Sequence, residues 1–240
     1  MSQSAKVSSP QRPGRVSTLL AVLALLVVVG LVIAFIVVNG ADRPIAGQPV
    51  ASSGNQSDDN LTTLRNPASG LSYQIPPALW TPQTDDGTDG PVDLRNGARR
   101  TAYTCGTPGQ MYVRGELGSG TAPAAGPGQV ATALAYTAAS QYYATGSTNP
   151  QVNLDPAQTV TRRTPSGRTV DGAVVRAIAT QSADKCLAAR GEVLVLVLQL
   201  ANADAVLMVN GDLAGGPVTP APPGDAELTK ILDSATPISG

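Results

Sequence analysis

Glu192-Val193-Leu194-Val195-Leu196-Val197-Leu198-Gln199-Leu200 decides the architecture. Six consecutive branched apolar residues leave no polar face at a period of two, so a strand here must be covered on both sides and sits at the centre of its sheet. Asn202-Ala203-Asp204 then turns the chain into a second apolar run, Ala205–Asn210. Upstream, Pro165-Ser166-Gly167 parts Thr159–Thr164 from Thr169–Thr180 and predicts a hairpin, although the first run is polar apart from Val160. Gly106-Thr107-Pro108-Gly109 does the same between Thr101–Cys105 and Met111–Leu117. Leu71-Ser72-Tyr73-Gln74-Ile75 alternates until Pro76-Pro77 stops it.

Two stretches carry the helical period instead. Between Gln129 and Tyr143, residues Val130, Ala133, Leu134, Thr137, Ala138 and Tyr142 share one face, with Pro127-Gly128 as the start. Asp225 is expected to cap a last helix that places Leu228, Ile231 and Leu232 together. These elements predict an α+β domain over residues 67–240, a mainly antiparallel sheet covered by two main helices.

Ahead of the domain, Leu19 to Val38 run twenty residues without a charge. Twenty helical residues span about 30 Å, the thickness of the hydrocarbon core, and few soluble helices are apolar all round. The run is longer than the ~7–15 apolar residues of a secretory signal, and Asn39-Gly40-Ala41-Asp42 makes a poor cleavage site. Residues 16–39 are therefore expected to be a transmembrane helix whose partner is the lipid bilayer. Lys6, Arg12 and Arg15 precede it with no acid, whereas Asp42 and Arg43 nearly cancel behind it. The positive-inside rule then makes residues 1–15 a cytoplasmic tail and everything after the span extracytoplasmic. Residues 40–66, rich in Gly, Pro, Ser, Asn, Asp and Gln, are expected to form a disordered linker.

Composition narrows the chemistry. The 240 residues carry 16 Lys and Arg against 17 Asp and Glu, two Cys and no His. Without imidazole there is no Ser-His-Asp triad, no Cys-His pair and no histidine-ligated metal. A net charge of −1 with 3% aromatic residues argues against a nucleic-acid partner.

The remaining motifs each have a plainer reading. Ser182-Ala183-Asp184-Lys185 matches the S-x-x-K of penicillin-interacting enzymes, but no S-x-N or K-T-G element follows, and a polar turn suffices. Gly126-Pro127-Gly128-Gln129-Val130-Ala131 fits a dinucleotide fingerprint, yet stands apart from the preceding strand with no acid about 20 residues on, so it reads as helix-start punctuation. Asp85, Asp86 and Asp89 lack the ligand spacing of a calcium loop and read as a solvated turn. Arg99-Arg100 and Arg162-Arg163, on strands, each send one charge to either face and build no patch. No catalytic residue, metal ligand or cofactor is assigned. Cys105 and Cys186, both outside the membrane by this topology, are expected to form a disulfide closing an 81-residue loop; a reactive thiol would want an activating His.

Gly70-Leu71-Ser72-Tyr73-Gln74-Ile75-Pro76 followed by Trp80, the mid-domain helix, and the ending Asn210-Gly211-Asp212 with Gly215-Gly216-Pro217 and Asp225-Ala226-Glu227-Leu228 resemble small membrane-anchored extracytoplasmic actinobacterial domains of unknown function. Those domains are similar to the PsbP-like α/β/α sandwich, so the resemblance implies that fold and that address, and no activity. The chain departs from the lipid-anchored members in lacking a lipobox cysteine.

The functional expectation is a single-pass, membrane-anchored envelope protein, a non-enzymatic binding or accessory module for an envelope protein or ligand. The rival is a His-free enzyme using Ser182 with Lys185, or a carboxylate pair. Trp80, the only Trp, is either a ligand-site wall or the plug of the sandwich core.

Overall fold

The computed structural model describes residues 60–83, 92–106, 108–146, 148–181 and 185–238. Among them, every paired strand is antiparallel to its neighbour. The main sheet runs in the order β3 (Trp80–Pro82), β4 (Arg95–Arg100), β7 (Gly115–Ala122), β12 (Asp204–Gly215), β11 (Ala188–Gln199), β10 (Thr169–Thr180) and β8 (Gln151–Leu154), with β9 (Gln158–Arg163) also paired to β10. A second sheet holds β1 (Thr62–Asn66), β2 (Leu71–Ile75) and β13 (Thr236–Pro237), and β5 (Ala102–Thr104) pairs with β6 (Met111–Val113) as a separate hairpin. Two helices complete the described residues, α1 (Pro127–Tyr142) and α2 (Asp225–Asp233).

The alternation in β11 sorts the core by side-chain shape. Val193, Val195 and Val197, with Val175 and Ala177 of β10 and Val206 and Met208 of β12, pack against Ala131, Leu134, Ala135 and Ala138 of α1. The small alanine face lets that helix lie close to a valine surface. Leu194, Leu196 and Leu198, with Leu207 and Val209 of β12, turn the other way and meet Leu71, Tyr73 and Ile75 of β2 and Leu228, Ile231 and Leu232 of α2. Gly191 belongs to the same design. A Cβ there would come within 2.0 Å of the Tyr143 ring, so only glycine lets the end of α1 settle on β11.

This architecture corrects the expected α+β fold, a sandwich of one sheet under two main helices behind a membrane helix. Only one face of the main sheet carries a main helix; the other is covered by the second sheet, with α2 beside it. The reason is length. A strand of twelve residues runs about 40 Å, whereas the nine residues of α2 span about 14 Å and bury only Leu228, Ile231 and Leu232. Strand, not helix, therefore supplies most of the second layer. Residues 16–39 and the cytoplasmic tail 1–15 lie outside the described residues, and no helix among the described residues is long and apolar enough to cross a membrane. The stretch 40–66 expected as linker contains β1 at its end: Thr62–Asn66 pairs with Leu71–Ile75, so the folded domain starts before residue 67. The run Met111–Leu117 is also not one strand, because the chain changes sheets at Arg114.

Trp80 is wholly buried in the leucine-faced core, and its Nε1–H donates to Glu227 Oε1 at 2.7 Å. Its ring edge lies against Gly115, where a Cβ would stand 3.1 Å from Trp80 Cη2. Trp80→Ala should then lower unfolding stability by roughly 3–5 kcal/mol in urea titrations, and native tryptophan emission should be blue-shifted and hard to quench. Readily quenched emission would contradict the burial.

Candidate functional site

One end of the main sheet gathers the chemistry. Here β4 and β10 end, β7 and β11 begin, and α1 runs out at Tyr142. Cys105 and Cys186 are joined in a disulfide with Cα atoms 5.4 Å apart, which ties the β5–β6 hairpin to the segment entering β11. Tyr103 Oη donates to the Cys186 carbonyl at 2.7 Å, and its ring stacks on Tyr112 at 5.6 Å between centroids. The covalent bond and the hydrogen bond tie the hairpin to the segment entering β11, and the ring stack joins the hairpin's own two strands.

Arg114, where the chain passes from β6 to β7, is fully buried. Its guanidinium lies 4.6 Å over the Tyr103 ring, pairs with Asp212 at 3.0 Å, and donates to the carbonyls of Gly215, Pro217 and Pro220. One cation so fixes the hairpin, the end of β12 and the loop leading toward α2. Burial raises the Asp212 carboxyl to about 6, against the lowering pull of Arg114.

Between the hairpin, β3 and β4, and the end of α1 lies an open groove of about 640 Å³. Tyr112 and Tyr142, both half-buried, line it from different elements, and Met111 stands at its side with 68% of its surface exposed. The polar lining includes Gln83, Thr101, Thr145 and Gln181. Gln181 donates from Nε2 to the Ala188 carbonyl, and its buried Oε1 has no hydrogen-bond partner. Arg99 is paired with Glu116 at 2.8 Å.

A second cluster sits under α2. Glu192, fully buried on the leucine face of β11, forms an ion pair with Arg176 of β10, and Arg176 also reaches Asp225 at the start of α2 at 3.0 Å. Desolvation, the largest effect, and the nearby Asp225 raise Glu192 to about 7, while Arg176 pulls it down. In the same first turn of α2, Glu227 accepts from Trp80 and from both Nε and Nη2 of Arg100. The first-turn acids of α2 therefore dock the helix onto two strand arginines.

The residues singled out from sequence fall as follows. Trp80 is core and does not line the groove. Gly126-Pro127-Gly128 opens α1, with Gly126 at φ 91° as its N-cap. Arg99 and Arg100 do point to opposite sides, one to Glu116 and one to Glu227. Arg162 pairs with Asp233. Ser182, Asp184, Asp85, Asp86 and Asp89 lie outside the described residues, while Lys185 is exposed. Among the described residues, no three His, Cys, Asp or Glu side chains converge as for a metal ion. Sequence reasoning passed over Arg114, Glu192 and Arg176. The signal for Glu192 was present, a lone carboxylate opening an apolar strand.

A profile of the family described as Domain of unknown function (DUF8017) matches residues 56–239. Comparison with curated proteins finds no match.

Two outcomes follow from this geometry. Replacing Cys105 and Cys186 together by Ser should release an 81-residue loop and lower stability by up to roughly 4 kcal/mol in the chain-entropy account, with the largest loss of amide protection in the β5–β6 hairpin. Uniform loss across the domain would refute the pinning role. The pH dependence has a definite sign. Folded Glu192 holds its proton to about pH 7 and Asp212 to about pH 6, above their ordinary values of 4.5 and 3.8. The folded state thus binds more protons than the unfolded chain in this window, and stability declines as pH rises from about 4 to 7. Melting temperature should fall across that range in the native protein, and Glu192→Gln should flatten the upper part; a native profile that rises instead would contradict it.

Proposed function

Because the chain belongs to a family described only as a domain of unknown function, we propose its role from address and geometry: a membrane-tethered extracytoplasmic domain that binds an envelope component in the groove beside the β5–β6 hairpin, without chemical turnover. The observation that carries the reading is the groove's construction. A half-exposed tyrosine wall and an exposed methionine stand on a hairpin that the protein holds rigid with a disulfide, a stacked ring and a buried arginine. Pre-ordered walls reduce the ordering cost of binding.

The address is supported by the sequence: the uncharged run Leu19–Val38 behind Lys6, Arg12 and Arg15, and the resemblance of the domain to actinobacterial extracytoplasmic domains. A disulfide is also what an oxidising compartment favours. The absence of turnover is supported by where the reactive groups stand. Of the two carboxyls that burial raises, Asp212 lines the groove but is held by buried Arg114, and Glu192 has no exposed surface and is committed to Arg176 under α2, away from the groove. A general acid must reach its substrate, and Glu192 cannot.

The test combines two fusions. A reporter placed after Gly240 should be active only if it is one that works outside the cytoplasm. In intact cells, a photo-crosslinking residue at Met111 should yield a mass-shifted adduct in the envelope fraction, whereas the same residue at exposed Ser166 should not. Cytoplasmic reporter activity would overturn the address, and equal labelling at both positions would overturn the groove.

A further inference from the structure

Among the described residues, every charged side chain lining the groove has an opposite partner. Arg99 is held by Glu116, Arg100 by both carboxylate oxygens of Glu227, and Asp212 by Arg114. A charged ligand would compete with these pairs: two are largely buried, where losing one partner costs several kcal/mol, and in the third the half-exposed Arg99 is already neutralised by Glu116. The fixed charge of the site is therefore balanced before anything binds. What remains for recognition is neutral: threonine hydroxyls, the amides of Gln83 and Gln181, and the faces of Tyr112 and Tyr142.

From this balance we infer that the groove takes a neutral carbohydrate chain. The inference rests on the reading of the groove as a binding site and names its ligand class. A sugar ring offers a face of C–H groups that packs on an aromatic ring, and a rim of hydroxyls that donate and accept. Tyr112 supplies such a ring, backed by Tyr103, so it keeps its orientation without a ligand. Gln181 supplies the complementary polar defect: its Oε1 lacks a donor beside the groove, and a neutral hydroxyl provides one without bringing charge. The groove's volume lies in the range of small-molecule sites, but one side stays open. A segment of a longer chain can leave through that side, whereas a free monosaccharide would keep much of its surface in water.

The test uses the full chain in a zwitterionic detergent, titrated calorimetrically with maltohexaose and with N-acetylchitohexaose, and with a hyaluronan hexasaccharide as the anionic comparison. At least one neutral hexasaccharide should bind, at least about tenfold more tightly than its monosaccharide and than the anionic chain. Tyr112→Ala should weaken it about tenfold or more, about 1.4 kcal/mol. Tyr112→Phe should retain it, and Arg163→Ala, remote on β9, should leave it unchanged. If Tyr112→Ala lowers the melting temperature, Gln181→Leu carries the test, with the same loss expected. Binding of neither neutral chain, preference for the anionic one, or undiminished binding by a folded Tyr112→Ala protein would overturn the inference. Position-specific crosslinking at Met111 alongside such a failure would leave the groove as a binding site and remove only the carbohydrate; failure of both would remove the groove as well.

Discussion

A strand with no polar face imposes two layers on everything around it. In β11, valine and leucine alternate through Val193–Leu198, and every one of those side chains is buried. Their fully extended spacing calls for two hydrophobic covers of different texture, one for each side. The shallower valine side accepts an alanine-rich helix at close range. The bulkier leucine side is met by β2 and α2, whose Tyr73, Ile75, Leu228 and Ile231 fill the deeper relief. At roughly 1.5–3 kcal/mol per buried branched side chain, the six central residues alone contribute on the order of 10 kcal/mol of gross apolar burial, comparable to the whole net stability of an ordinary domain.

Among the described residues, five charged side chains are buried, Arg100, Arg114, Glu192, Asp204 and Asp212, and four of them form ion pairs between separate elements. Arg114 stands where the chain changes sheets and pairs with Asp212 of β12, and Glu192 of β11 pairs with Arg176 of β10. Such pairs contribute little net stability, because desolvation offsets their attraction, but they punish the wrong arrangement heavily. Arg114 shows the use. It binds three loop carbonyls, one carboxylate and one aromatic face, groups that come from β5, β12 and the loop after it. No hydrophobic side chain could gather those partners in one geometry. The acids at the start of α2 work in the same way, fixing on Arg176 and Arg100 a helix whose own apolar contact is only three residues wide.

This division explains which parts were legible in the chain. The strands around β11, the hairpin at Pro165-Ser166-Gly167, both helices and the Cys105–Cys186 bridge are written in periodicity, turn residues and cysteine number, all local or countable signals. The layer over the leucine face was not. β1 is a polar strand, Thr-Thr-Leu-Arg-Asn, whose pairing with β2 comes from register rather than from its own composition, and it reads as linker for that reason. The break at Arg114 was hidden too, because Met111–Leu117 has the alternation of one strand and only the remote Asp212 and the carbonyls of the 215–220 loop tell it to bend away. The groove shares that origin. Tyr112 and Tyr142 stand thirty residues apart and meet only because α1 ends over the same edge that the hairpin reaches.

The position of the groove then follows from the fold rather than from any single motif. Its walls are a hairpin that belongs to neither large sheet, the outer strands β3 and β4, and the C-terminal end of α1, which rests on β11 through Tyr143. Loops and short appended elements on a rigid scaffold are where a protein can vary a recognition surface without disturbing its core. Here the freedom of the hairpin is withdrawn again by the disulfide, by Tyr103 and by Arg114, at the cost of one buried cation and one cross-link. A hairpin needed only as a connection would require none of these. A buried charge and a covalent bond that hold exposed Met111 and half-buried Tyr112 in place are intelligible when the place itself is what is used.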